Sequence, residues 1–226
     1  TAIVLYMIRG ETVRKAKALK KRVDDVAQGA ALMTGTTVTF RQIDGTASTI
    51  SNQVLEKLLH DNMLAAPLPE YTPEEWELAG KVRETYHTEE LPGTGIRENA
   101  DLKSFMCKKT QGGKRALNDF VVPYYPMFTY SPGSTDVGDV SWLTPTAQFT
   151  AVTWASGSPG HSWQNVSLGH SSIGYKGLLY AAKALAGSCA DLMEDPELLK
   201  KARAEFEISA AEGYDCPIGP EVVPGE

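Results

Sequence analysis

Apolar positions along this 226-residue chain recur with two different periods, and each change of period predicts an element. Ala2-Ile-Val-Leu-Tyr-Met-Ile8 is an unbroken, β-branched apolar run, which predicts a buried strand. From residue 11 to 31 the period lengthens: Val13, Ala16, Leu19, Val23, Val26 and Ala30 return at steps of three and four with charges between them, which predicts a helix. Gly35 marks a turn, after which Thr36-Thr-Val-Thr-Phe-Arg-Gln-Ile43 alternates like a half-buried strand. Residues 45–51 read as a linker. Helices are then predicted at about 52–65, with Val54, Leu58 and Leu59 on one side, and from Thr72-Pro-Glu-Glu75, where Thr suits the N-cap and Pro the first turn.

The stretch 88–118 is polar, contains glycine and shows no period, so it reads as a long surface excursion. Beyond it, 119–125 is a candidate strand, 131–139 a turn entering a short helix through Trp142, and 147–154 a strong strand candidate. The loop 155–160 leads to His161; helices at 171–186 and 196–211 follow, and a proline-containing tail from 217 reads as extended. Helices alternating with strands predict a three-layer α/β domain. The first 45 residues, a β-α-β block with an incomplete sheet, read as the back half of a smaller α+β domain, so the chain is expected to begin inside a domain.

Composition narrows the function. A net charge of -6 argues against a nucleic-acid surface, and the basic positions Arg14 to Arg22 follow helical spacing as a solvated face. Three scattered cysteines, 107, 189 and 216, form no CxxC pair, which suggests neither a disulfide framework nor a zinc knuckle and fits a reducing cytoplasm. No apolar run is long enough for a membrane span, and no partner membrane is expected.

Candidate chemistry concentrates in two loops. His161 follows a predicted strand and the Ser156-Gly-Ser-Pro-Gly160 loop, where α/β sheets present ligands. His170, just before a helix, is a weaker candidate whose ring can also support the loop; His60 and His87 sit on or at the end of helices and read as structural. Gly133, Ser134, Thr135 and Asp136 lie between strand and helix, where backbone N–H groups and hydroxyls can meet an anion; the plain alternative is an N-cap in an ordinary turn. HxH, HExxH, GxSxG, Walker and GxGxxG patterns are all absent, so neither loop makes a site by itself.

Three segments in order, Gly133-Ser-Thr-Asp-Val-Gly-Asp-Val-Ser-Trp142, Pro159-Gly-His-Ser-Trp163 and Gly169-His-Ser-Ser-Ile-Gly-Tyr-Lys-Gly177, resemble the aminobenzoyl-glutamate utilization protein B-like amidohydrolases. These belong to the metallopeptidase superfamily of carboxypeptidase G, aminoacylase and succinyl-diaminopimelate desuccinylase. Ala27-Gln-Gly-Ala-Ala-Leu-Met-Thr-Gly-Thr-Thr37 is similar to that subfamily's lid. The resemblance implies the C-terminal part of a metal-dependent amidohydrolase acting on an N-acylated amino acid of the p-aminobenzoyl-glutamate type. Residues 1–46 would be the second half of a lid, or dimerisation, domain and 47–226 the C-terminal part of the catalytic α/β domain.

It also implies two divalent metal ions, zinc or manganese, in the intact enzyme and none in this stretch alone. His161 matches the last metal ligand, Gly133 to Asp136 the turn beside the substrate, and Arg9 the lid arginine that meets the substrate carboxylate, a surface arginine being the alternative there. The remaining ligands and the general-base glutamate precede the lid in the family and have no counterpart here, so the isolated stretch is expected to be inactive. Association as a homodimer through the lid, or with a sister subunit, is implied as well. The competing reading is a non-catalytic module of the same fold that binds a small anion or mediates assembly; a non-metal α/β hydrolase is disfavoured by the missing nucleophile elbow.

Overall fold

The computed structural model describes residues 1–87, 99–126, 133–219 and 222. Among them the regular elements are eight helices: α1 (Val13–Thr34), α2 (Gln53–Ala65), α3 (Pro73–Arg83), α4 (Ala100–Lys109), α5 (Val137–Ser141), α6 (Trp163–Gly169), α7 (Ser172–Glu194) and α8 (Pro196–Ser209). The described residues contain no strand and no sheet, which overturns the expected three-layer α/β domain and the α+β block before it. The segments 2–8, 36–43, 119–125 and 147–154 carry no ladder. Residues 3–7 are open on both alternations, with Ile3 87%, Val4 68% and Leu5 76% exposed, so the run that reads as a buried strand buries neither face. A helix closes its own i to i+4 bonds, whereas an extended segment becomes a strand only when a distant neighbour pairs with it.

The helices expected from pattern are present, for reasons local to each. Thr12 caps α1 through a hydrogen bond from the Lys15 N–H, and Gly35 ends it in the left-handed region at φ 64°, with the Thr36 N–H returning to the Ala31 carbonyl at 3.0 Å. At α3 Thr72 and Glu75 form a capping box with Pro73 in the first turn. Ser171 caps α7 by accepting from the Gly174 N–H. Two helices fall outside the pattern. α4 lies inside the stretch that reads as an excursion, of which 88–98 falls outside the described residues, and α6 starts directly after the His161 loop.

Chain contacts divide the protein into two units. The first comprises Thr1–Asn52, Gly133–Thr146 and Arg203–Glu226. In it α5 grips the segment 47–50. The Asp139 carboxylate accepts from the Ala47 N–H at 3.2 Å, Trp142 Nε1–H donates to the Ser48 carbonyl at 2.8 Å, and Ser141 Oγ accepts from the Ile50 N–H at 3.0 Å. A Cβ at Gly138 would stand 2.0 Å from the Ala47 carbonyl oxygen, so this approach requires glycine. The linker expected at 45–51 is therefore bonded along much of its length.

The second unit comprises Gln53–Pro132 and Ala147–Ala202. Its main core joins Ala79 and Val82 of α3, Leu117, Ala155, Leu168 and Ile173, with Tyr71, Trp76, Tyr86 and Val152 packed around them. Helix α7 packs on α2 and α6. The Tyr180 hydroxyl donates to the Met63 carbonyl at 2.6 Å, and Asn62 Nδ2 donates to Asp191 at 2.6 Å. A smaller cluster sets Leu102 and Met106 of α4 against Phe120 and Val122, so 119–125 contributes side chains to a core without pairing as a strand.

Candidate functional site

His161 stands in a loop of the second unit that is bonded on both sides. Before it, the Ser156 N–H donates to the Ala116 carbonyl at 2.8 Å, and Ser156 Oγ donates to Asn118 Oδ1 at 3.2 Å. Ala155 is fully buried, which ties the start of the loop to the core. After it, Ser162 Oγ returns to the Pro159 carbonyl at 2.7 Å, and the buried Gln164 donates to Thr85 Oγ1 at 3.2 Å. His161 itself is exposed and takes a left-handed backbone, φ 53°. For a residue with a Cβ that conformation costs on the order of 1 kcal/mol and persists where the surroundings hold it.

The third motif places its residues on α7 and just before it. His170 is exposed, and its Nδ1 shares a hydrogen bond with the Tyr175 hydroxyl, the two rings meeting edge-on at 5.6 Å between centroids. One residue on, Lys176 Nζ donates to Glu75 at 2.6 Å and to the Glu70 carbonyl at 2.7 Å. Glu75 is only 6% exposed. Burial pushes its carboxyl pKa up, but hydrogen bonds from Lys176, Ser172 and the Thr72 N–H outweigh that and hold it below the ordinary value. Tyr71 lies under Lys176 at 5.7 Å, and burial, helped by the charges of Glu75 and Asp119, pushes its phenol up to about 12. The other histidines are apart from both loops. His60 Nε2 donates to the Val122 carbonyl at 2.9 Å against the Tyr124 ring, and His87 is exposed beyond the end of α3.

In the first unit Gly133, Ser134, Thr135 and Asp136 are all exposed and lead into α5, a helix of 5 residues. Asp136 occupies the N-cap position without making a side-chain cap bond; Thr135 Oγ1 accepts from the Val137 N–H at 3.4 Å instead. Three residues on, Asp139 both holds Ala47 and accepts from the Tyr214 hydroxyl at 2.8 Å. Arg9 is exposed and donates from Nε to Met7 Sδ at 3.3 Å. Arg9 and residues 133–136 thus fall in one unit, and His161 in the other.

Among the described residues no three His, Cys, Asp or Glu side chains gather as a metal ion would need. His161 is one candidate donor that belongs to no group of three among the described residues, so these residues alone do not fit a metal centre. The three cysteines are free and exposed. Among the described residues no helix is long and apolar enough to cross a membrane.

The side chains that shape the His161 loop, Tyr86, Thr85, Asn118 and Gln164, carry no signal in the sequence. Glu75 stands out there only as a helix-start residue, and Lys176 only within a motif. Their partners lie 38 to 101 residues away in the chain, a separation at which no periodicity speaks.

The resemblance drawn from the three motifs is borne out. The chain is 34% identical over 231 aligned residues, 99% of its length, to a subunit of the p-aminobenzoyl-glutamate hydrolase of Escherichia coli (strain K12). It spans 47% of that relative, about half its length. No family model and no solved structure matches the chain.

Proposed function

We propose that this chain, a relative of an aminobenzoyl-glutamate hydrolase subunit over nearly all its length, is part of a metal-dependent amidohydrolase that cleaves the amide bond of an N-acylated amino acid of the p-aminobenzoyl-glutamate type. The observation that carries the reading is the extent of the likeness: it runs through all three motifs rather than through one. In this reading residues 1–46 belong to the lid and 47–226 to the catalytic part. His161 supplies one metal ligand, Gly133 to Asp136 line the substrate, and Arg9 meets its carboxylate. The other ligands of two divalent ions, zinc or manganese, and the general-base glutamate come from residues beyond these 226. Exposure of His161 and Arg9 supports a role that is completed by further protein. The enzyme works as a homodimer or with a sister subunit, in the cytoplasm.

The test compares the full-length protein, its His161→Ala variant and the 226-residue chain, with and without the sister subunit and with and without a chelator. Release of p-aminobenzoate from p-aminobenzoyl-glutamate is followed. Chelator-sensitive turnover by the full-length protein, lost in H161A and absent from the short chain, is the expected result. Robust hydrolysis by the short chain would overturn the assignment of the glutamate and ligands to residues outside it, and undiminished turnover by H161A would remove His161 from the site.

A further inference from the structure

The loop carrying His161 is held from the turn that follows α3, and one side chain makes most of that attachment. The Tyr86 hydroxyl donates to the Ser156 carbonyl at 2.7 Å and accepts from Ser158 Oγ at 3.3 Å, so a single phenol oxygen grips two residues of the loop. Its neighbour Thr85 receives the bond from Gln164 beyond the histidine. The stretch 157–163 is therefore bracketed by bonds to two consecutive residues. The turn itself is braced. The Arg83 guanidinium lies 5.0 Å from the Tyr86 ring centre and donates to the Tyr86 and Gly113 carbonyls, each at 3.1 Å. Burial pushes the Tyr86 phenol pKa up, so the hydroxyl keeps the proton it donates. Inside the bracket sits the one feature that needs holding, a histidine at φ 53°.

We propose that Tyr86 is a positioning residue for His161: its phenol pins Ser156 and Ser158 to the end of α3 and so sets where the imidazole stands. The inference rests on the reading of His161 as a functional group. A side chain on a strained, exposed loop performs a geometrically exacting task only when a surrounding shell fixes its backbone.

The experiment uses the full-length enzyme and four variants: Tyr86→Phe, Ser158→Ala, Tyr180→Phe and His161→Ala. Y180F is the control, since Tyr180 makes a comparable hydroxyl-to-carbonyl bond, to Met63, away from the loop. Y86F and Y180F are expected to lower the melting temperature by similar amounts. Y86F alone loses roughly tenfold or more in kcat with KM little changed, and its amides at 156–164 exchange faster. S158A, which leaves the ring in place, shows the same pattern more weakly. If the kcat of Y86F and S158A matches that of Y180F, the positioning role is overturned. If H161A retains full turnover, the underlying reading of His161 fails instead, and the two failures are told apart by which variant is silent.

Discussion

Two glycine-to-alanine substitutions in helices of the second unit should change stability in opposite directions. In an open helix the exchange stabilises by about 0.5–1 kcal/mol, because glycine loses more backbone freedom on folding. Gly80, inside α3, has nothing within 4 Å of the position a Cβ would take, so Gly80→Ala should show that gain unopposed. Gly177, inside α7, is buried, and its Cβ would stand 1.9 Å from the Val152 carbonyl oxygen and 2.9 Å from Thr153 Cγ2. Both obstacles belong to a neighbouring segment, and one is backbone, so relief requires the helix to move by more than an ångström. Overpacking of this kind costs about 1–3 kcal/mol or more. With a backbone atom as the obstacle the cost lies at the upper end, and Gly177→Ala should be a net loss of about 2 kcal/mol. At about 2–4 °C per kcal/mol for a chain of this size, the melting temperature should fall by about 4–8 °C in G177A and rise by about 1–4 °C in G80A. Thermal unfolding followed by circular dichroism in the helix band reads both. A G177A variant as stable as G80A would refute the close approach of α7 to residues 152–153.

Glu75 makes stability depend on pH with a definite sign. Its folded pKa is depressed, so the stability it contributes is complete above the unfolded value of 4.5 and is lost as pH falls through the lower folded value. The stability gap between wild type and Glu75→Gln, about 1–2 kcal/mol in urea unfolding after allowing for the part-exposed Lys176, should hold down to pH 4.5 and close below it. A gap independent of pH would mean that the carboxylate is not charged in the fold. Two aspartates of one motif should also differ. Asp139→Ala leaves the N–H of the buried Ala47 without its acceptor and should cost about 1–3 kcal/mol. Asp136→Ala, at an exposed position with no cap bond, should stay within about 0.5 kcal/mol in the same assay.

The helix starts were legible because their signals sit within four residues: Thr72-Pro-Glu-Glu75 spells a capping box, and Ser171 stands one turn before its partner Gly174. α4 carried a signal too, Asn99 as cap with Leu102 and Met106 four apart on the buried side, but it was hidden by the polar run around it. His161 was legible as a singular histidine after a Gly/Pro loop. Its left-handed backbone and its attachment to Tyr86 were not, since neither follows from spacing.

The chain by itself determined where most of the longer helices run: caps, charges and apolar spacing act over one or two turns, and the free energy of such contacts is set by neighbours in the chain. The three motifs in order, which carry the resemblance to the amidohydrolases, were likewise in the residues themselves. Tertiary structure alone decided the fate of the apolar runs and the geometry of the loops. Ile3 to Met7 and residues 147–154 have the composition of strands but no ladder, because β pairing is a property of two segments and not of one. The same non-locality joins Glu75 to Lys176 and Tyr86 to Ser156: a hydrogen bond across 101 or 70 residues exists only once the chain has closed that distance.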